Sequence, residues 1–94
     1  MSEELILTHA QKSTDDFLIY TGNFCGYCTA AIRLLERKNL TYTEINFDHV
    51  KDIRKSIVAA TGHRTVPVIL DIRQDTPVFV GGFDQLQPYL RKRG

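Results

Sequence analysis

The order of apolar runs predicts an α/β architecture, a four-stranded mixed β-sheet flanked by helices. Segments of strand type alternate with segments of helical periodicity along most of the chain. The last two strand-like runs are separated by only a short polar turn, the mark of an antiparallel hairpin rather than a crossover. Finally, 94 residues, 43% hydrophobic and 24% charged, fit one globular domain and leave little room for a second.

Each element can be justified in order. Residues 1–16 are polar apart from Leu5-Ile6-Leu7, and Ser13-Thr14-Asp15-Asp16 reads as a break. A loosely ordered or short helical leader is expected there, with the domain proper over residues 17–94. Phe17-Leu18-Ile19-Tyr20-Thr21 is a continuous apolar run, as strands buried on both faces are. Gly22-Asn23-Phe24 turns the chain. From Tyr27 to Lys38 the pattern is helical, with Ala31, Leu34 and Leu35 on one face and Arg33, Glu36 and Arg37 outside. Tyr42 to Phe47 is rich in β-branched and aromatic residues and predicts the second strand. Val50, Ile53, Ile57 and Ala60 recur at helical spacing, and Gly62 stands where that helix stops. Val66 to Leu70 is the third strand. After the turn Arg73-Gln74-Asp75-Thr76, Pro77 to Val80 is the fourth, where Pro77 is tolerable at a strand start or sheet edge. Gly81-Gly82 breaks it, and Asp84 opens a last helix through Leu86, Tyr89 and Leu90. Pro88 is expected in its first turns, where a missing donor costs least. The order is β-α-β-α-β-β-α, with the first two strands parallel.

Charge excludes some function classes. With 12 Lys+Arg against 11 Asp+Glu, the net charge of +1 offers no general attraction for nucleic acid or a membrane surface. Arg91-Lys92-Arg93 reads as a solvated helix end. The first residues lack the basic and apolar regions of a secretory signal, and no run approaches the ~18 apolar residues of a membrane span. The expected compartment is the cytoplasm, where thiols are kept reduced. There, a lone Cys-x-x-Cys is more often catalytic or metal-binding than structural.

Both cysteines of the chain fall in Phe24-Cys25-Gly26-Tyr27-Cys28. A half zinc site, a structural staple, a cluster ligand pair and a redox-active dithiol all use this spacing. Zinc needs four ligands, and His9, His49 and His63 are scattered without the close spacing of a second pair; His49 and His63 read as solvated loop residues. Cys25 lies at the mouth of the first long helix, where unpaired backbone N–H groups stabilise a thiolate. Cys28 lies one turn along on the same side, expected to be the more buried. The spacing suits disulfide exchange.

Cys25-Gly26-Tyr27-Cys28, Thr65-Val66-Pro67 and Gly81-Gly82-Phe83-Asp84 together resemble the three motifs of glutaredoxins, in order and over nearly all of residues 17–93. The resemblance implies a thioredoxin-like fold, with Cys25 as nucleophile and Cys28 as resolving thiol. It implies a glutathione site of Tyr27, Arg54, Thr65, Val66, Pro67, Gly82, Phe83 and Asp84. Pro67 would be that fold's cis-proline, leaving the Val66 backbone to pair with the cysteinyl part of glutathione. Gly82 and Asp84 would hold the γ-glutamyl group, with Asp84 otherwise a plain N-cap, and Arg54 would reach the glycyl carboxylate.

This chain departs from the pattern at several places. A lysine common three residues before the first cysteine is Gly22, and the usual proline between the cysteines is Gly26. Gln85 replaces a second acidic or polar anchor, and Phe83 a common cysteine. The expected function is a dithiol glutaredoxin that reduces protein–glutathione mixed disulfides and protein disulfides, with glutathione as co-substrate and the protein monomeric. An alternative motivated by Gly26 is a dimer holding a [2Fe–2S] cluster through Cys25 and glutathione. A redoxin served by thioredoxin reductase is a third reading, opposed by the glutathione anchors.

Overall fold

The structure is a computed structural model that describes residues 2–50 and 52–93; Met1, Lys51 and Gly94 lie outside the described residues. The elements run α1 (Ser2–Gln11), β1 (Phe17–Thr21), α2 (Gly26–Arg37), β2 (Tyr42–Asn46), α3 (Arg54–Thr61), β3 (Val68–Asp71), β4 (Val78–Gly81) and α4 (Phe83–Arg93). The strands form one sheet in the order β2-β1-β3-β4. β1 and β2 are parallel, with Phe17 opposite Tyr42, whereas β3 pairs antiparallel with both β1 and β4. The register between β3 and β4 shifts after Ile69, which faces Gly81, because Leu70 faces Phe79 and Val80 is the extra residue of a bulge.

β1 is the central ridge of the molecule, and its alternation explains why all five residues of FLIYT are buried. Phe17 and Ile19 point to one face, against Ala31, Leu34 and Leu35 of α2 and Leu86 and Leu90 of α4. Leu18 and Tyr20 point to the other, against Ile57 of α3, Phe47 and Ile6 of α1. Fully burying a side chain of this size contributes about 1.5–3 kcal/mol, so the five-residue strand holds both layers of the core. Asn39, at φ 59°, ends α2 in the left-handed conformation that asparagine tolerates, and Leu40 N–H returns to the Leu35 carbonyl at 3.0 Å.

The leader forms a helix that lies on the core. Ile6 is buried among Leu18, Tyr20 and Ile57, and His9 Nδ1 and the Tyr20 hydroxyl share a hydrogen bond of 2.7 Å. Burial, with Lys12 nearby, lowers the His9 pKa, while burial raises that of Tyr20, so a neutral imidazole faces a protonated phenol. The stretch that reads as a break is tied to β2. Thr43 donates to Asp15 at 2.6 Å, and Thr41 N–H donates to Asp16 at 3.0 Å.

Several boundaries differ from the pattern reading. α3 begins at Arg54, and Val50 is exposed rather than helical, because Asn46 turns the chain by accepting the Asp48 N–H at 2.7 Å. Gly62 caps α3 as expected, at φ 73°. Val66 and Pro67 precede β3. Pro88 sits well inside α4 rather than at its start, where proline removes a donor that would have served Asp84.

Candidate active site

The chain leaves the end of β1, turns through Gly22-Asn23-Phe24 and enters α2 with Cys25 as its N-cap. Cys25 has extended backbone (φ −112°, ψ 102°), and its Sγ accepts the Cys28 N–H at 3.0 Å. A sulfur in the position where serine or aspartate usually caps a helix receives a donor otherwise without a partner. Negative charge on that sulfur is stabilised by the same bond and by the dipole of α2. Cys28 is buried, and the two cysteines are joined as a disulfide with Cα atoms 5.2 Å apart. Cys25 Sγ lies 3.8 Å from the Val66 carbonyl oxygen, and the Val66–Pro67 bond is cis.

Beside the sulfur runs a groove of about 380 Å³, a size suited to a small ligand. All the predicted binding residues except Arg54 border it: Tyr27 on α2, Thr65, Val66 and Pro67 before β3, and Gly82, Phe83 and Asp84 at α4. Arg54 stands apart at the start of α3. Its guanidinium donates to the Arg64 carbonyl at 3.3 Å and lies 5.7 Å from the Phe47 ring centroid.

The N-terminus of α4 differs in detail from the expectation. The first helical carbonyl is that of Gly82, which accepts from Gln85 N–H at 3.2 Å and Leu86 N–H at 3.1 Å, so Gly82 is the N-cap and Asp84 stands in the first turn. Gln85 Oε1 returns to the Gly82 N–H at 2.8 Å, the acceptor half of a capping box. The Gln85 amide oxygen, at the place of a second acidic or polar anchor, is thus engaged with backbone. What remains at this end for an anion is the N–H pair of Phe83 and Asp84, with the exposed Asp84 carboxylate beside it.

The groove contains His63, to which the sequence reading assigned no such place, and Gln85, which serves there as a cap. His63 is half-buried in its wall, with Nε2 3.3 Å from Thr65 Oγ1 and the ring edge-on to Phe79. Gln85 carries a signal that could have been read, since glutamine three residues after an N-cap has capping-box spacing. His63 carries none, because its ring meets Phe79 and Gly82, which lie far along the chain.

A family model described as glutaredoxin matches residues 17–73, more than half the chain. The chain belongs to the glutaredoxin family. A glutaredoxin from Pseudomonas aeruginosa is 38% identical over 52 residues, or 55% of this chain. That match covers 62% of the relative's own length, less than two thirds. The solution structure of a Brucella melitensis glutaredoxin is 34% identical, covering 85% of this chain and 82% of that one with a TM-score of 0.64. The crystal structure of a buckwheat glutaredoxin–glutathione complex reaches a TM-score of 0.75 at 23% identity, over 98% of this chain and 84% of that one. At that identity the likeness is one of fold, and the fold is thioredoxin-like. The family-model match ends at Arg73, before Gly82-Phe83-Asp84.

Proposed function

We propose that this protein is a thiol–disulfide oxidoreductase that uses glutathione as co-substrate and reduces protein–glutathione mixed disulfides. The observation that carries this reading is Cys25 Sγ capping α2 at the mouth of a groove walled by Val66 and the α4 N-terminus. Backbone of Val66 pairs with the cysteinyl part of glutathione, and the Phe83 and Asp84 N–H groups take the γ-glutamyl carboxylate while Asp84 takes its ammonium. Tyr27 closes the groove from α2. Arg54 serves the glycyl carboxylate only by leaving the Arg64 carbonyl.

The steps balance as exchanges. Cys25 thiolate attacks the glutathione sulfur, the bond to the client sulfur breaks, and the client leaves as a thiolate that takes a proton from water. A second glutathione thiolate attacks the bound glutathione sulfur, giving glutathione disulfide and returning Cys25 as thiolate. Alternatively Cys28 loses its proton, attacks Cys25 Sγ and expels glutathione, leaving the Cys25–Cys28 disulfide for reduction. A client disulfide enters by the same attack, with Cys28 releasing it.

The test is turnover of a glutathionylated peptide by wild type, Cys25→Ser and Cys28→Ser. Cys25→Ser should abolish it, and Cys28→Ser should keep the route through a second glutathione. Substantial turnover by Cys25→Ser, or none by wild type, refutes the reading.

A further inference from the structure

Phe24, directly before the nucleophile, combines features that a purely structural residue avoids. Its side chain is fully exposed, although it is among the most apolar in the chain. Its backbone sits at φ 54°, a left-handed conformation that bulky side chains rarely adopt. The loop is braced in this shape from the end of β2 and the turn after it: Asn23 N–H donates to Asp48 Oδ2 at 2.6 Å, and Asn46 Nδ2 donates to Asn23 Oδ1 at 3.1 Å. The ring is therefore held out into solvent beside the reacting sulfur.

The surroundings of Phe24 have a character of their own. The strand order places the glutathione groove on the β3–β4 side of the cysteines, and Phe24 on the β1–β2 side. Behind Phe24 lies a cleft whose wall includes Cys25, Cys28, Ile32 and Glu44. Glu44 is the one ionisable side chain besides the cysteines among the described residues of that wall. It is held by the buried Thr21 hydroxyl, which donates to Oε2 at 2.7 Å. Asp48 in the brace adds a second negative charge nearby.

We propose that Phe24 and the acidic cleft behind it form the docking surface for the protein half of the mixed disulfide. They select clients whose modified cysteine is flanked by an apolar and a basic side chain. The inference rests on the proposed function. With glutathione filling the groove on one side, the client chain is left the opposite rim of Cys25, and that rim offers an aromatic face and the negative charge of Glu44 and Asp48, which form no ion pair among the described residues. A ring projected at no contact in the free protein gains by being covered in the complex, as aromatic anchors of interfaces do. Complementary charge beside it favours encounter with basic segments.

The experiment compares three glutathionylated substrates: a peptide with Leu and Lys beside the cysteine, one with Gly and Glu there, and cysteine–glutathione disulfide, which has no client chain. Wild type should favour the Leu/Lys peptide by about tenfold or more in kcat/KM over the Gly/Glu peptide. Phe24→Ala should remove most of that preference, and Phe24→Leu should restore part of it. Glu44→Gln, which keeps an acceptor for Thr21, should lower the preference about threefold, an effect that added salt should mimic in wild type. All variants should reduce cysteine–glutathione disulfide at the wild-type rate. Equal rates for the two peptides, or a preference that survives both substitutions, overturn the assignment. So does a Phe24→Ala variant equally slow on all three substrates, which would make Phe24 a brace for Cys25. If wild type reduces none of the three, the proposed function fails and the docking surface falls with it.

Discussion

Replacing Ile6 by alanine tests whether α1 is an integral part of the fold. Ile6 is 7% exposed and packs in the layer that contains Leu18, Tyr20, Ile57 and Leu70. The change removes Cγ1, Cγ2 and Cδ1, and at ~0.8 kcal/mol per buried carbon the transfer loss is roughly 2.4 kcal/mol. A cavity adds to this where it stays empty, but Ile6 and Leu70 border an open apolar groove of about 250 Å³ shared with Pro77 and Phe79. The hole opens to that groove and the cavity contribution is small, which puts the total at about 2–3 kcal/mol, the low end for such substitutions. Equilibrium unfolding in urea measures it. With a slope of ~1.5 kcal/mol per molar, the midpoint should fall by about 1.3–2 M. Leu7→Ala, at a position 39% exposed, is the control and should move the midpoint by less than half as much. If the two substitutions shift the midpoint equally, or Ile6→Ala leaves it unmoved, α1 does not dock as described and the domain begins at Phe17.

Two further outcomes follow from single side chains. Asp71 is buried and receives Arg73 through bonds of 2.9 and 2.8 Å and Tyr89 O–H at 2.6 Å. Burial alone would raise its pKa, yet these partners outweigh it and hold the carboxyl below the usual aspartate range. A group whose folded pKa is depressed adds stability above its unfolded value of ~3.9 and loses it as pH falls through the lower folded value. Wild type should therefore lose stability below roughly pH 4 more steeply than Asp71→Asn, and parallel midpoint-versus-pH curves would contradict the ion pair. At Gly81 (φ 123°) a Cβ would stand 2.9 Å from Gln85 Oε1, so Gly81→Ala strains the backbone and displaces the α4 cap. Thermal unfolding should show a loss of about 1–3 kcal/mol, and an unchanged melting temperature would mean that Gln85 does not hold the cap.

Much of this protein was legible in its sequence because the signals are local. FLIYT is apolar in its first four positions without alternation, the pattern of a strand covered on both faces, and the structure covers it on both. Cys25 and Cys28 are three residues apart, so any helix beginning there puts the second N–H near the first sulfur, as the 3.0 Å bond records. Gly62 marks a helix stop because it alone takes a left-handed turn without strain. What tertiary structure decided are matters that depend on distant chain segments. Leu5-Ile6-Leu7 is too short a run to reveal a docked helix, and α1 is visible only once Tyr20 and Ile57 provide the surface it covers. His63 joined the groove because Gly82 and Phe79 come from the far end of the chain to meet it, whereas Arg54, placed by the family resemblance, turned instead to the Arg64 carbonyl. Phe24 looks like any loop aromatic until Asp48 and Asn46 are seen bracing its neighbour. Periodicity and spacing report a residue's neighbours along the chain; the direction of a side chain and the cost of its exposure are settled by residues that folding brings beside it.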